Sequence, residues 1–176
     1  MKSWNLGRSY LYDIRMFSQK RTVPIRIASL EDAAKITAVI NAAFRIAEGF
    51  FIDGNRISQP EVEQMLTKGA FLLVEDGDQL NGCVYVEVRG ERSYLGLLSV
   101  DPAYQQGGLG SLLMLEAEEY CRERGSSFMD ILIVNLREEL PAYYQKRGYV
   151  QTGTSAFPED VPTRVPCHFI NMSKPL

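Results

Sequence analysis

The spacing of apolar residues changes several times along the chain, and each change predicts an element. The run Val23-Pro24-Ile25-Arg26-Ile27 predicts a short strand. Ser29 follows as an N-cap with Asp32 three residues on, a variant of the capping box. Ala33, Ile36, Ile40, Ala43 and Phe44 then recur on one face of a helix. Over 45–56 the period is lost, although Phe50, Phe51 and Ile52 keep the stretch apolar, and Asp53-Gly54-Asn55 marks a turn. A second helix is predicted from Ser58, with Pro60 in its first turn and Glu61 completing a capping box, ending near Gly69.

Beyond that glycine the period becomes that of strands. Residues 70–75 and 80–89 predict two strands joined at Asp76-Gly77, and Gly90 turns the chain into a third over 93–100. A Gln/Gly-rich loop leads into a long helix in which Leu109, Leu112, Leu113, Ala117, Tyr120 and Cys121 share a face, closing at Gly125. The stretch 128–134 is apolar apart from Asp130, as expected of a strand covered on both faces. A short helix over about 138–147 and strands over 149–155 and 165–172 complete the order. That order predicts one α+β domain, an α/β/α sandwich on a mixed, mostly antiparallel sheet of about seven strands.

Composition narrows the possibilities without choosing among them. A chain of 176 residues, 45% hydrophobic and 23% charged, is expected to form one globular domain. The boundaries expected are 1–21 for an N-terminal extension and 22–176 for the domain. The extension is basic and aromatic with Asp13 its only acid, and is read as an element packed on the domain or on a neighbouring subunit, as in a homodimer. A net charge of −3 argues against a nucleic-acid partner held by phosphate neutralisation. No apolar run approaches the ~20 residues that span a bilayer, so no membrane partner is expected. Cys83, Cys121 and Cys167 are far apart and a single His accompanies them, which predicts free thiols in a reducing, cytoplasmic setting and no metal site.

Chemistry concentrates in Val100-Asp101-Pro102-Ala103-Tyr104-Gln105-Gln106-Gly107-Gly108-Leu109-Gly110-Ser111. A strand feeding a glycine-rich turn at a helix start gathers unpaired N–H groups at the positive end of the helix dipole, a site for an anion. The Walker pattern is excluded because no Lys occurs here, and the dinucleotide fingerprint fails because Leu113 stands where its third glycine is needed. What fits is Gln/Arg-x-x-Gly-x-Gly/Ala, read as Gln105, Gly108 and Gly110. This resembles the acetyl-CoA signature of the GCN5-related N-acetyltransferases (the GNAT family). A second stretch, Tyr144-Gln145-Lys146-Arg147-Gly148-Tyr149, resembles the family's Tyr-x-Lys-x-Gly-Phe/Tyr, one strand further on.

The resemblance extends over about 23–172 and implies a GNAT fold, acetyl-CoA as co-substrate and direct acetyl transfer to a primary amine in a ternary complex. It assigns the cofactor to the backbone of Leu98 and Val100 and to Gln105, Gln106, Gly107, Gly108, Leu109, Gly110 and Ser111, with Asn135 as a variant contact where the usual Asn register falls on Arg137. Tyr144 becomes the general acid, since a phenol of pKa ≈ 10 can donate to a departing thiolate. The general base is left open among Glu87, Asp130 and Glu48, and His168 reads as structural or as an acid/base group. The acceptor is expected near 44–56, where Phe50, Phe51 and Ile52 either wall the site or pack the loop on the sheet. A non-catalytic acyl-CoA-binding module on the same fold is the competing reading.

Overall fold

A computed structural model describes residues 9–11 and 22–176. The proposed extension falls mostly outside the described residues. Its residues Ser9–Leu11 form strand β1, antiparallel to β2 (Thr22–Ile27). A 3-10 turn (Leu30–Asp32) leads to α1 (Ala33–Glu48) and α2 (Gln59–Leu66). Three antiparallel strands follow, β3 (Ala70–Asp76), β4 (Gln79–Arg89) and β5 (Arg92–Val100). Helix α3 (Leu109–Arg122) crosses over to β6 (Phe128–Val134), which pairs parallel to β5. Then come α4 (Glu139–Gln145), β7 (Val150–Ala156) and β8 (His168–Pro175). The strands lie in the order β1-β2-β3-β4-β5-β6-β8-β7 in one mixed sheet. From residue 22 onward that gives the expected seven-strand, mostly antiparallel arrangement, and β1 extends it by one at the edge.

Strand alternation divides the interior. Leu72, Val74, Val84 and Val86 face Leu109, Leu112, Leu113, Ala117 and Cys121 of α3 in one core. Phe71, Leu73, Cys83 and Tyr85 face Ile36, Val39, Ile40 and Val62 of α1 and α2 in the other. Apolar runs in β3 and β4 are therefore continuous because both faces are covered. The expectation that β6 is likewise covered on both faces fails. Phe128 and Leu132 are exposed, Leu132 at 40%: Leu132 lies where β6 has parted from β5, and Phe128 is covered by the Arg92 guanidinium over its ring.

Other departures have local causes. Helix α1 continues through Glu48, past the apparent loss of period at Arg45, because its last turn lies beside a cleft rather than against the sheet. Phe51 and Ile52 do not line that cleft. They pack with Val134, Leu136, Phe157, Val161 and Phe169 in a small third core that closes one end of the sheet. Arg164 reinforces that closure: its amide donates to the Phe51 carbonyl at 2.8 Å, and its guanidinium is ion-paired with Asp53. Free thiols are found at Cys83, Cys121 and Cys167. Among the described residues no helix is long and apolar enough to cross a membrane.

The entry to α1 is locked by charge. Asp32 accepts from the Ser29 amide at 2.7 Å and from both terminal nitrogens of Arg26 at 2.7 and 2.8 Å, while Arg26 also holds Glu75. The Arg26 bonds hold the Asp32 carboxyl well below the ordinary range, at about 2. A depressed carboxylate pKa contributes stability that is full above the unfolded value of about 3.9 and is lost as pH falls through the folded value. Asp32→Asn is therefore expected to cost about 1–2 kcal/mol at pH 7. In urea titrations the deficit relative to wild type should shrink as pH is lowered from about 4 toward about 2. A deficit independent of pH would remove the charge from the explanation.

Candidate active site

The site starts from a fault in β5. Three residues of β4, Cys83 to Tyr85, stand opposite four of β5, Ser99 back to Gly96, so β5 carries one extra residue. Leu97 absorbs it with φ of 50°, a left-handed conformation costly for a side chain of this size. The Ser99 hydroxyl donates to the Leu97 carbonyl at 3.0 Å and helps hold the bulge. On its other side β5 pairs with β6 only from Arg92↔Phe128 to Leu95↔Ile131. Beyond that point the two parallel strands part, and a cleft of about 590 Å3 opens between them.

The cleft collects groups from several elements. Leu97, Leu98 and Val100 line it from β5, and Leu132 to Val134 from β6. The loop into α3 contributes Gln105, Gln106, Gly108, Leu109, Gly110 and Ser111. Gly108 is the left-handed N-cap of α3, with φ of 85°, and Gln106 before it has φ of 69°. The first carbonyl used by the helix is that of Gly108, bonded by the Leu112 amide at 3.0 Å. The amides of Leu109, Gly110 and Ser111 precede that bond and have no intrahelical acceptor. A Cβ on Gly110 would come within 3.8 Å only of Val100 Cγ2, so the space above this turn is open to a ligand.

Two side chains brace the loop. Gln105 donates through Nε2 to the Val100 carbonyl at 3.1 Å, pinning the loop to the end of β5. Arg147, within the second motif, donates to the Ser111 hydroxyl at 3.0 Å while its guanidinium lies 3.5 Å from the Tyr143 ring centroid. A cation thus stands beside the helix start although the loop carries Gln rather than Arg at position 105.

Tyr144 lies on α4, 7% exposed and in the cleft lining. Its ring meets those of Tyr143 and Tyr149 edge-on, with centroids 5.2 and 5.5 Å apart. Tyr149 is in turn fixed by its hydroxyl, which donates to Glu118 at 3.1 Å, and Lys174 donates to the same carboxylate at 2.6 Å. Burial pushes the Tyr144 hydroxyl up to about 12, so it stays protonated at neutral pH.

The three carboxylates considered as bases part company. Glu87 is ion-paired with Arg89 and also accepts from the Tyr85 hydroxyl at 3.2 Å, and the Arg89 bond lowers its pKa. Burial works to raise Asp130, but bonds from Arg92 and Ser173 outweigh it and hold the carboxyl below its ordinary value. Neither lines the cleft. Glu48, the last residue of α1, does; it is 6% exposed, and burial raises its pKa against the opposing pull of Arg56 and Arg137. Gly107 and Asn135 lie outside the lining as well. Asn135 accepts from the His168 amide at 2.8 Å through Oδ1, tying β6 to β8.

Several lining residues had no signal in the sequence. Tyr94 extends along β5 so that its hydroxyl lies 2.5 Å from where a Gly96 Cβ would be, which explains the glycine. Arg56 enters from the aperiodic segment, with its guanidinium 5.3 Å from the Phe44 ring centroid. Arg137 was legible as a position in the family register but not as a wall of the cleft.

A sandwich whose central parallel strands part in front of a glycine-rich helix start defines a class. The chain matches the model of the Acetyltransferase (GNAT) domain over residues 48–173, and it belongs to the GNAT family. The uncharacterized protein YxbD of Bacillus subtilis (strain 168) is 32% identical over 78 residues, 44% of this chain and 47% of that one, so the match spans about half that relative's length. Among solved structures, the fold is similar to the ribosomal-protein-S18-alanine N-acetyltransferase of Escherichia coli, at a TM-score of 0.70 and 14% identity over 88% of this chain and 94% of that one. The ribosomal-protein-alanine N-acetyltransferase of Brucella melitensis gives 0.69 and 20% over 86% and 99%. The PaiA N-acetyltransferase of Thermoplasma acidophilum, solved in complex with coenzyme A, gives 0.64 and 16% over 88% and 99%.

The bulge is the feature most open to direct test. Because a side chain branched at Cβ tolerates φ near 50° worst, Leu97→Val is expected to destabilise the domain by about 1–2 kcal/mol. The shift of the urea midpoint reads this directly, and an unchanged midpoint would show that Leu97 stores no strain.

Proposed function

We propose that this protein is an acetyl-CoA-dependent N-acetyltransferase that passes an acetyl group directly to a primary amine within a ternary complex. The observation that carries this reading is the meeting, on one cleft, of the α3 loop amides, the unpaired edge of β5, the protonated Tyr144 and the buried Glu48. The residues present fit the donor. The amides at the start of α3 would hold its diphosphate, with Arg147 close by, and the edge of β5 at Leu98 and Val100, beyond its last pairing with β6, would take the arm that follows. The similarly folded PaiA enzyme, solved in complex with coenzyme A, supports a ligand of that class.

Bound there, acetyl-CoA would supply an acetyl carbon that bonds to the amine nitrogen as its bond to sulfur breaks. The chain's own groups handle the protons. An alkylammonium has a pKa near 10 and must be deprotonated before it can attack, and Glu48 is the carboxylate placed to receive that proton. Tyr144 holds a proton for the departing sulfur, and its hydroxyl makes no hydrogen bond within the described residues that would compete for it. A main-chain N–H of β5 is available to polarise the thioester carbonyl. The second proton lost by the nitrogen restores the phenol, and Glu48 releases the first to solvent, so amide, thiol and one proton are the net products.

Tyr144→Phe should lower kcat by roughly 10²-fold with little change in coenzyme A affinity. An unaltered kcat would take Tyr144 out of the mechanism. A base works only when deprotonated, so kcat/KM should fall as pH drops through the raised Glu48 pKa, with an inflection above the usual carboxylate range. Glu48→Gln should abolish that inflection; a pH profile that survives the substitution would assign the base elsewhere. Gly108→Glu should eliminate cofactor binding in calorimetry, because the added side chain crowds the helix start with negative charge. Binding at wild-type affinity would contradict the loop assignment. Turnover with any amine separates this reading from a binding module, which would hold the cofactor and release no thiol.

A further inference from the structure

The acceptor end of the cleft contains charges that the fold leaves incompletely matched. Glu48 is nine-tenths buried, and its Oε2 stands 3.7 Å from Arg56 Nε. Its Oε1 stands 4.0 Å from Arg137 Nη1. Both gaps exceed hydrogen-bond distance. Glu48 Oε2 and Arg56 Nε are each buried without a hydrogen-bond partner. Burying a donor and an acceptor this close together and leaving them unbonded is unfavourable unless something else bonds them. Arg137 gives its Nε to Glu139 at 2.7 Å, which leaves the far end of its fork beside Glu48. Arg56 is held in place from outside by the Phe44 ring.

The charge count decides what fits. One carboxylate and two guanidinium groups face this space, and one guanidinium is shared with Glu139. An amine alone would satisfy Glu48 and leave the buried Arg56 Nε without a hydrogen-bond acceptor. A polyamine would add positive charge beside two arginines and be repelled. A molecule with an ammonium and a carboxylate one carbon apart would satisfy both signs at once, since the side chains of opposite charge here are themselves only about 4 Å apart. The guanidinium fork matches a planar carboxylate, and Phe44 and Leu132 offer an apolar surface to the rest of the molecule.

Resting on the transferase reading above, we infer that the acceptor is an α-amino acid with an apolar side chain, its amine at Glu48 and its carboxylate between Arg56 and Arg137. Free leucine, methionine and phenylalanine, their methyl esters, and spermidine serve as the probes, with thiol release from acetyl-CoA as the readout. The free acids should show kcat/KM at least tenfold above their esters, and spermidine should not be turned over. Arg56→Met should lower kcat/KM for the acids by tenfold or more, chiefly through KM, and narrow the ratio of acid to ester, while Arg56→Lys should restore part of it. Should Arg56→Met fail to fold, Arg137→Met carries the same comparison. Esters or spermidine turned over as well as the acids would overturn the amino-acid assignment and leave the transferase reading standing. No turnover of any probe, with acetyl-CoA still raising the melting temperature, would overturn both.

Discussion

The structure depends on the parting of two strands that begin as partners. β5 and β6 pair in parallel as far as Leu95 and Ile131, and the extra residue at Leu97 then turns β5 out of register. Parallel strands buried in a sheet ordinarily pair along their length, because an unpaired buried amide or carbonyl is costly. Here that cost is incurred at the centre of the sheet, and a left-handed Leu97 adds to it. The well-packed cores on both faces keep the opening from closing. Glu48, Tyr144, the edge of β5 and the start of α3 all line the cleft that results.

The elements were legible where burial is patterned, on one face of α1 and α3 and on both faces of β3 and β4. The α3 loop was legible because glycines at 108 and 110 follow a strand and precede an amphipathic helix, and Tyr144 because a second motif fixes its register. The bulge was not. Leu97 and Leu98 are ordinary strand residues, and the extra residue shows only when β5 is set against β4. Gly96 makes room for Tyr94. Phe51 and Ile52 were equally consistent with a wall or with packing, since an aperiodic apolar stretch carries no direction, and their partners lie more than eighty residues away. The choice among the carboxylates was likewise beyond the sequence, because pairing with Arg89 or Arg92 is a matter of cross-strand contact.

Two electrostatic environments share the cleft. At the α3 end, main-chain donors and Arg147 make a field for negative charge, and Gln105 acts as a brace rather than as a charge. At the α1 end, Glu48 is kept from full pairing with either arginine. Tyr144 stands on α4 with its hydroxyl kept protonated by burial. It is steadied by a chain of contacts running through Tyr149 to Glu118 and Lys174. That chain anchors the phenol to α3 and β8, so the ring is positioned by the same elements that form the main core.

The opening runs from the α3 side of the sheet, where the loop stands, to the α1 side, where Glu48 and Arg56 stand. Its lining joins residues of two helices that cover opposite faces of the sheet. Under the proposed reaction, donor and acceptor would come in through separate doorways and meet midway. Neither spent molecule would then have to wait for the other to depart, and the traffic at one doorway could be altered by changing its frame without disturbing the other.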